Sequence, residues 1–484
     1  MSESTIQRGA ELLELSTAIL LPGAGLFGDR LGRGLTDIVP LTLVGGLSLF
    51  QRTVLTLQRA GIRQLIVLAG PDEELLKHTL ARGARVTIPV RWMPIREFPL
   101  DDTRTWESLA AEVPGFCLIA GVQAVFSKQL IEYLRQTVRD GEAVVVTREA
   151  GSADLPTARR NPAVAFEEDR LISFHHHIAD ERHQVAADLV VLPASILNPP
   201  GETGSAVSSD PMDRLGMTPV RRWLERAAAE GRVRVVTATS HAGLWYRDVW
   251  DQASAGIAER TLLRSLKGEA EGFVDRYFNR TFSRLLTSAF LWMKCSPNTI
   301  TMIATAVGLL SALGFGWGTY QAGVIAALLF QLSAIIDCCD GEVARLTFTE
   351  SPFGAWLDIA MDNLVHMAIF AGIACGAYLR QAGTDGDWVP IALGGAAVLG
   401  NAMSFWLVTK AQKIGITRGW NTPKQAAWSD FILKNVASRD FSVVVFLFAL
   451  VDKLDWFLWM AAFGSTVFWL LMVWVIRPSA RARA

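Results

Sequence analysis

The sequence predicts two fold classes in one chain: an α/β, Rossmann-like domain, and an all-α polytopic membrane domain of about six transmembrane helices. Residues 1–260 mix charged and apolar residues, and strand-like runs alternate there with helical segments. Long apolar runs begin near residue 285. We therefore predict a soluble domain at 1–260, a linker with a membrane-surface amphipathic helix at 261–297 and a transmembrane domain at 298–484.

The first half carries the α/β pattern. Apolar runs such as "RQLIVLAG", "GFCLIAG", "EAVVVTREA" and "ADLVVLPASIL" predict buried strands, and "SLFQRTVLTLQR" and "SKQLIEYLRQTV" predict helices between them. A Gly-rich turn follows the first strand-like run in "TAILLPGAGLFGDRLGRGL", where backbone amides can cradle phosphates. The formal net charge of −1 gives no indication of a nucleic-acid partner, and we expect none.

The second half carries six apolar stretches, and a helix needs roughly 20 residues to cross a bilayer. They lie near residues 299–318, 321–337, 354–379, 388–409, 440–452 and 456–476. Lys and Arg are concentrated in alternate connections, which by the positive-inside tendency face the cytoplasm. We therefore predict a multi-pass protein of the cell membrane, embedded in the lipid bilayer, with the Asp-rich stretch and the soluble domain on the cytoplasmic side.

Residues 274–301 precede the first span, and their arginines and apolar residues recur at helical spacing. This pattern predicts a helix lying along the membrane surface. An ordinary linker helix is the alternative.

Two stripes of acidic and small residues flank the connection between the second and third stretches. Side chains three and four apart share one face of an α-helix. The first stripe comprises Asp337, Asp340, Gly341, Ala344 and Arg345, and the second comprises Gly354, Asp358 and Asp362. The short connection predicts antiparallel neighbouring helices whose four carboxylates converge.

Four carboxylates at one place raise each other's pKa values and need compensation. Divalent cations with a preference for oxygen ligands provide it, and two metals about 3.5–4 Å apart form a known arrangement for phosphoryl chemistry. The sequence thus predicts a two-metal site for Mg²⁺ or Mn²⁺ that binds a diphosphate. A proton- or ion-conducting pathway, an ion-coupled transporter, or aspartates that merely reach water at helix ends are the alternatives.

The string D-x-x-D-G-x-x-A-R, eight residues, then G-x-x-x-D-x-x-x-D resembles the signature of the CDP-alcohol phosphotransferases, with every fixed position filled. The resemblance covers about residues 270–480 and includes "SPNTIT" before the first span. It implies transfer of a phospho-alcohol group from a CDP-linked donor to an acceptor hydroxyl, with release of CMP. It also implies a homodimer, because members of the family are commonly dimers.

The resemblance implies a role for each motif residue. Asp337, Asp340 and Asp358 would ligate metal, and Asp362 would be a further ligand or the general base. The residues that would bind the CDP-linked donor are Asp337, Gly341, Ala344, Arg345 and Gly354. Four basic residues would bind an acceptor phosphate, or would only reflect the positive-inside tendency: Lys410, Lys413, Arg418 and Arg439.

The first half resembles the sugar-nucleotidyltransferase domain fused to this membrane enzyme in the bifunctional inositol-phosphate cytidylyltransferase/di-inositol-phosphate-phosphate synthases. The chain departs from that pattern where the chemistry occurs. Ile38 and Val39 replace an expected lysine, and Gly121 stands near the place of a metal-binding aspartate. By this resemblance, Asp248 would correspond to the second metal aspartate. We therefore predict an inactive domain, and an active cytidylyltransferase is the alternative.

The donor stays open between two compounds. CDP-diacylglycerol with a polar acceptor would yield a phospholipid, and CDP-inositol with inositol phosphate would yield a soluble phosphodiester.

Overall fold

The chain forms two compact units, Met1–Ser265 and Leu266–Ala484, in a computed structural model. The structure describes residues 15–22, 26–27, 39–81, 85–149, 161–175, 184–197, 219–238, 243–266, 280–381, 388–418 and 441–476.

Thirteen strands are present among the described residues of the first unit. They are β1 (Leu15–Leu21), β2 (Leu43–Val44), β3 (Leu47–Ser48), β4 (Gln64–Ala69), β5 (Val90–Pro94), β6 (Phe116–Gly121), β7 (Ala124–Phe126), β8 (Ala143–Glu149), β9 (Ala163–Glu167), β10 (Arg170–His175), β11 (Gln184–Pro193), β12 (Val233–Thr237) and β13 (Tyr246–Asp248). Helices lie between them: α1 (Leu49–Arg59), α2 (Glu73–Ala81), α3 (Thr103–Glu112), α4 (Lys128–Thr137), α5 (Ala194–Leu197), α6 (Pro219–Ala229) and α7 (Gln252–Ser265).

The main sheet of this unit has nine strands within the described ranges, in the order β5-β4-β1-β6-β11-β8-β12-β10-β9. Strands β5, β4, β1 and β6 are parallel to one another, while β11 runs antiparallel to β6 and β8. The central strands β1, β4 and β6 are buried along almost their whole length, as their continuous apolar runs predict. The predicted α/β class is confirmed.

The second unit is helical in all of its described parts. Its helices are α8 (Arg280–Trp292), α9 (Pro297–Gly316), α10 (Tyr320–Thr347), α11 (Pro352–Gln381), α12 (Val389–Arg418), α13 (Phe441–Leu450) and α14 (Leu454–Ile476). Five of them, within the described residues, are long and apolar enough to cross a membrane: α9, α10, α11, α12 and α14. The shorter α13 is also apolar, so the prediction of about six membrane helices agrees with the structure.

Local sequence explains where the site-bearing helices begin and end. Ser296 caps α9 by accepting a hydrogen bond from the Thr299 amide, and Pro297 fills the first helical position, where no donor is lost. Thr319 caps α10 in the same way. Helix α10 ends at Thr347, its C-cap residue Phe348 has a left-handed φ of 55°, and α11 begins at Pro352. The connection between α10 and α11 is therefore only four residues long, 348–351.

Helix α9 packs against both α10 and α11. Gly372 and Gly376 of α11 let the backbones meet, because a Cβ at either position would collide with the carbonyl oxygens of Ala312 and Phe315. Direct packing between α10 and α11 is slight by comparison. The expectation that these two helices are close antiparallel neighbours is therefore wrong for most of their length, since α9 takes the position beside each of them.

Candidate active site

Three of the four predicted aspartates come together where α10 and α11 approach their short connection. Each of Asp337, Asp358 and Asp362 offers a carboxylate oxygen, and these oxygens all lie within 4.8 Å of one another. Asp337 is buried, and the two aspartates of α11 are half-buried. Three carboxylates supply only hard oxygen ligands, which is the donor set that Mg²⁺, Mn²⁺ and Ca²⁺ prefer. The residues present therefore fit a divalent cation.

Asp340 lies outside that group of three. Its Oδ2 accepts a hydrogen bond from the hydroxyl of Thr301 on α9, with an oxygen–oxygen distance of 2.5 Å, and both residues are buried. Thr301 is the last residue of "SPNTIT", so this segment both caps α9 and holds a motif carboxylate. No motif or spacing in the sequence predicts a role for Thr301, because its one visible feature is a hydroxyl in the first turns after the cap residue.

Small residues leave space around the carboxylates. A Cβ at Gly341 would lie 3.2 Å from a guanidinium nitrogen of Arg345, so the exposed Arg345 side chain extends over this glycine. At Gly354, a Cβ would lie 3.4 Å from Oδ1 of Asn298, at the start of α9. Ala344, between Gly341 and Arg345 on α10, is half-buried. The small residues thus lie beside the guanidinium group of Arg345 and the side-chain amide of Asn298, and both groups can hydrogen-bond to a polar ligand.

The four basic residues predicted for the acceptor are only partly described. Lys410 lies on α12 with an exposed side chain, and its Nζ is 4.9 Å from the centre of the Trp406 ring. Lys413 and Arg418 lie on the last turns of α12, but their side chains fall outside the described residues. Arg439 lies outside the described residues altogether. Their role stays a prediction.

The first unit contains a separate group of buried charges. Asp248 on β13 pairs with Arg148 on β8 at 2.5 Å, and both side chains are almost fully buried. Asp188 on β11 is buried close by and accepts a hydrogen bond from the Leu26 amide. Burial, together with the charge of Asp248, raises the pKa of Asp188 to about 7. The carboxylates of Asp188 and Asp248 thus lie near the guanidinium group of Arg148.

Gly121 ends β6, near the place where the resemblance called for a metal-binding aspartate. A Cβ there would lie 2.9 Å from the Cβ of Asp188, so the neighbouring strand fills the space that a side chain at 121 would need. Asp188 could not be predicted as part of this group, because the sequence around an aspartate within an apolar strand does not indicate which residues it contacts. Its contact with Gly121 arises from the pairing of β11 with β6.

Residues 294–477 match the family model described as CDP-alcohol phosphatidyltransferase. The match lies within the membrane half of the chain and includes the whole aspartate motif. The prediction of a transferase of phosphate-containing groups is confirmed by this match. The resemblance inferred from the Asp-Gly-Ala-Arg motif is confirmed.

One relative aligns with residues of both units. The chain is 29% identical over 395 residues to "Bifunctional IPC transferase and DIPP synthase" of Rubrobacter xylanophilus, covering 81% of this chain and 84% of that protein. It is 30% identical over 165 residues to the protein of the same name from Aquifex aeolicus, covering 34% of this chain and 37% of that protein. The predicted resemblance to the bifunctional enzymes is thus confirmed by a relative that aligns with most of this chain.

Two further comparisons cover smaller parts of the chain. The chain is 36% identical over 108 residues to the phosphatidylinositol phosphate synthase of Streptomyces avermitilis, covering 22% of this chain and 43% of that protein. Among solved structures, the inositol-1-phosphate CTP transferase from T. maritima aligns with a TM-score of 0.37 at 12% identity, covering 51% of this chain and 95% of that one.

Proposed function

We propose that the membrane half transfers a phospho-alcohol group from a CDP-linked donor to an inositol phosphate, at the site formed by Asp337, Asp358 and Asp362. The single observation that carries the proposal is the convergence of these three carboxylates within the family motif. Inositol phosphate as acceptor is supported by the name of the phosphatidylinositol phosphate synthase that resembles part of this chain. The product would be a phospholipid with CDP-diacylglycerol, or an inositol phosphodiester with CDP-inositol.

The three clustered aspartates would hold Mg²⁺ or Mn²⁺ in a two-metal site, with Asp340 as a further ligand on the side held by Thr301. When bound, divalent cations stabilise the negative charge of a diphosphate and of a departing phosphate group. Gly341, Ala344 and Gly354 leave room for the donor against the helices, and the exposed guanidinium of Arg345 is available to its phosphates.

Asp362 would act as the general base. In the reaction, the acceptor hydroxyl oxygen bonds to the phosphorus attached to the donor alcohol, and the bond from that phosphorus to the CMP oxygen breaks. The hydroxyl proton passes to the Asp362 carboxylate. Asp362 is suited to this role because it is the last of the clustered aspartates along α11 and only half-buried, which leaves its carboxylate accessible to an acceptor.

The soluble unit would carry out no nucleotidyl transfer. Gly121 replaces one metal carboxylate. Of the two carboxylates in this region, Asp248 is already paired with Arg148, and the buried Asp188 accepts a hydrogen bond from the Leu26 amide. One carboxylate held by an arginine is a poor ligand for a catalytic Mg²⁺. The competing proposal of an active cytidylyltransferase draws support from the bifunctional relative. Release of pyrophosphate from CTP and a polyol phosphate by the purified chain would favour that proposal instead.

Orientation and assembly also belong to the proposal. We place the active site and the soluble domain on the cytoplasmic face of the cell membrane, supported by the Lys and Arg of the connections on that side. We place the chain in a homodimer, supported by the resemblance to a family whose members are commonly dimers.

The experiment is CMP release by the purified protein with Mg²⁺ or Mn²⁺. CDP-diacylglycerol and CDP-inositol are each offered with a panel of polyols and polyol phosphates, and the pair that releases CMP identifies donor and acceptor. Asp362→Asn is expected to abolish release while the protein stays folded. Ion-dependent transport without CMP release would instead indicate a transporter whose aspartates bind a coupling ion.

A further inference from the structure

Glu342 is a buried carboxylate next to the site that neither the family motif nor the proposed reaction uses. It occupies a variable position of the motif, between Gly341 and Ala344, and only 1% of it is exposed. Burying a carboxylate is costly unless hydrogen bonds compensate it. Two hydroxyls of α8 supply such bonds: Ser283 donates to Oε1 at 3.1 Å and Thr287 donates to Oε2 at 2.7 Å.

The two hydroxyls belong to a helix that packs along α10. Ser283 and Thr287 are four residues apart, so they lie on one face of α8, and both are fully buried. The thiol of Cys339, one turn before Glu342 on α10, also contacts this helix by donating to the Ser283 carbonyl at 3.5 Å. The contact between α8 and α10 is therefore polar and directional, which specifies one relative placement of the two helices.

Glu342 and Asp340 anchor opposite sides of α10. Residues two apart on an α-helix point about 160° away from each other, because each residue turns the helix by about 100°. Asp340 is bound by Thr301 of α9 on one side, and Glu342 is bound by α8 on the other. Two anchors on opposite sides fix the rotation of α10 about its axis. That rotation sets the direction in which Asp337 meets Asp358 and Asp362.

We propose that Glu342 is a positioning residue: the hydroxyls of Ser283 and Thr287 hold its carboxylate, and this contact orients Asp337 and Asp340 for binding a divalent cation. The inference rests on the proposed function for the identity of the site. Residues that orient metal ligands typically change metal affinity or activity by about 10- to 100-fold when they are replaced. Replacing Glu342 is expected to weaken metal binding by a factor in this range.

The test measures Mn²⁺ binding to the purified full chain by electron paramagnetic resonance, without substrates. Glu342→Gln is expected to raise the Mn²⁺ dissociation constant at least about tenfold. Thr287→Ala is also expected to raise the Mn²⁺ dissociation constant, although Thr287 lies on another helix. Thr287→Ser keeps the hydroxyl and should give the wild-type dissociation constant. Glu350→Gln is the matched control, because Glu350 is an exposed glutamate just beyond α10.

Folded Glu342→Gln protein that binds Mn²⁺ as tightly as the Glu350→Gln control would overturn the proposal. If Glu342→Gln does not fold, Ser283→Ala and Thr287→Ala decide instead, since each removes one hydroxyl and keeps the carboxylate. Weakened Mn²⁺ binding in a protein that releases no CMP from any donor would leave the positioning role intact and refute the proposed reaction. CMP release by the wild type, with unchanged Mn²⁺ binding in the variants, would support the proposed reaction and refute the positioning role of Glu342.

Discussion

Replacing Gly372 by alanine tests the packing that holds α11, and with it Asp358 and Asp362, against α9. An added Cβ would overlap the Ala312 carbonyl oxygen, and it would lie 3.0 Å from the Ala312 carbonyl carbon and 3.4 Å from the Ala312 Cα. These are backbone atoms of a helix, so they cannot turn aside as a flexible side chain would. We therefore expect α9 and α11 to separate locally.

The magnitude follows from two opposing effects. Overpacking a well-packed interior costs about 1–3 kcal/mol, and a site where only backbone can yield belongs at the upper end of that range. Alanine in place of glycine within a helix recovers about 1 kcal/mol of helix propensity. The net expectation is a loss of about 2 kcal/mol in the free energy of unfolding.

The assay is thermal unfolding of purified protein in detergent, with Gly395→Ala as the matched control. Gly395 lies within α12, and a Cβ there would meet no atom within 4 Å, so this substitution should leave the midpoint unchanged or raise it slightly. A Gly372→Ala midpoint equal to or above that of the control would refute the close backbone packing.

Three further predictions concern single contacts. Thr301→Val removes the hydroxyl that donates to buried Asp340. This change should lower the free energy of unfolding by roughly 1–3 kcal/mol and raise the Mg²⁺ concentration needed for half-maximal CMP release. The control Thr305→Val loses only a bond to its own helix and should have smaller effects, so equal effects would contradict the Thr301 assignment. Burial raises the pKa of Asp188 to about 7, so the folded chain binds a proton between about pH 4 and 7 that the unfolded chain releases. The free energy of unfolding of the first unit should therefore fall as the pH rises through that window. Denaturation followed by circular dichroism should show a smaller dependence of this free energy on pH in Asp188→Asn. Chelation by EDTA should stop CMP release, and Mn²⁺ in excess should restore it; activity that survives dialysis against EDTA would count against the acidic cluster as a metal site.

The sequence predicted most of the membrane half because its signals are local. Spacings of three and four placed the motif residues on helix faces, and apolar runs placed the spans. The second apolar run ends at 337, yet α10 continues to Thr347. Hydropathy marks where a helix leaves the hydrocarbon, whereas the helix itself ends at the left-handed Phe348.

Contacts between distant parts of the chain could not be predicted from such patterns. Thr301 and Asp340 are 39 residues apart, and no pattern in either segment predicts their hydrogen bond. Arg148 likewise meets Asp248 only because β8 and β13 approach each other in the folded unit. The position of α9 beside both α10 and α11 also depends on tertiary packing, which the spacing of glycines alone does not specify.

The most direct test of the central claim compares two aspartate substitutions in one assay. CMP release from CDP-linked donors is measured during a Mg²⁺ titration for the wild type, for Asp358→Asn in the cluster, and for Asp455→Asn, which alters an aspartate of α14 outside it. Loss of release in Asp358→Asn, with near-normal release in Asp455→Asn, is the expected result. Normal, Mg²⁺-independent release by Asp358→Asn would contradict the assignment of the active site.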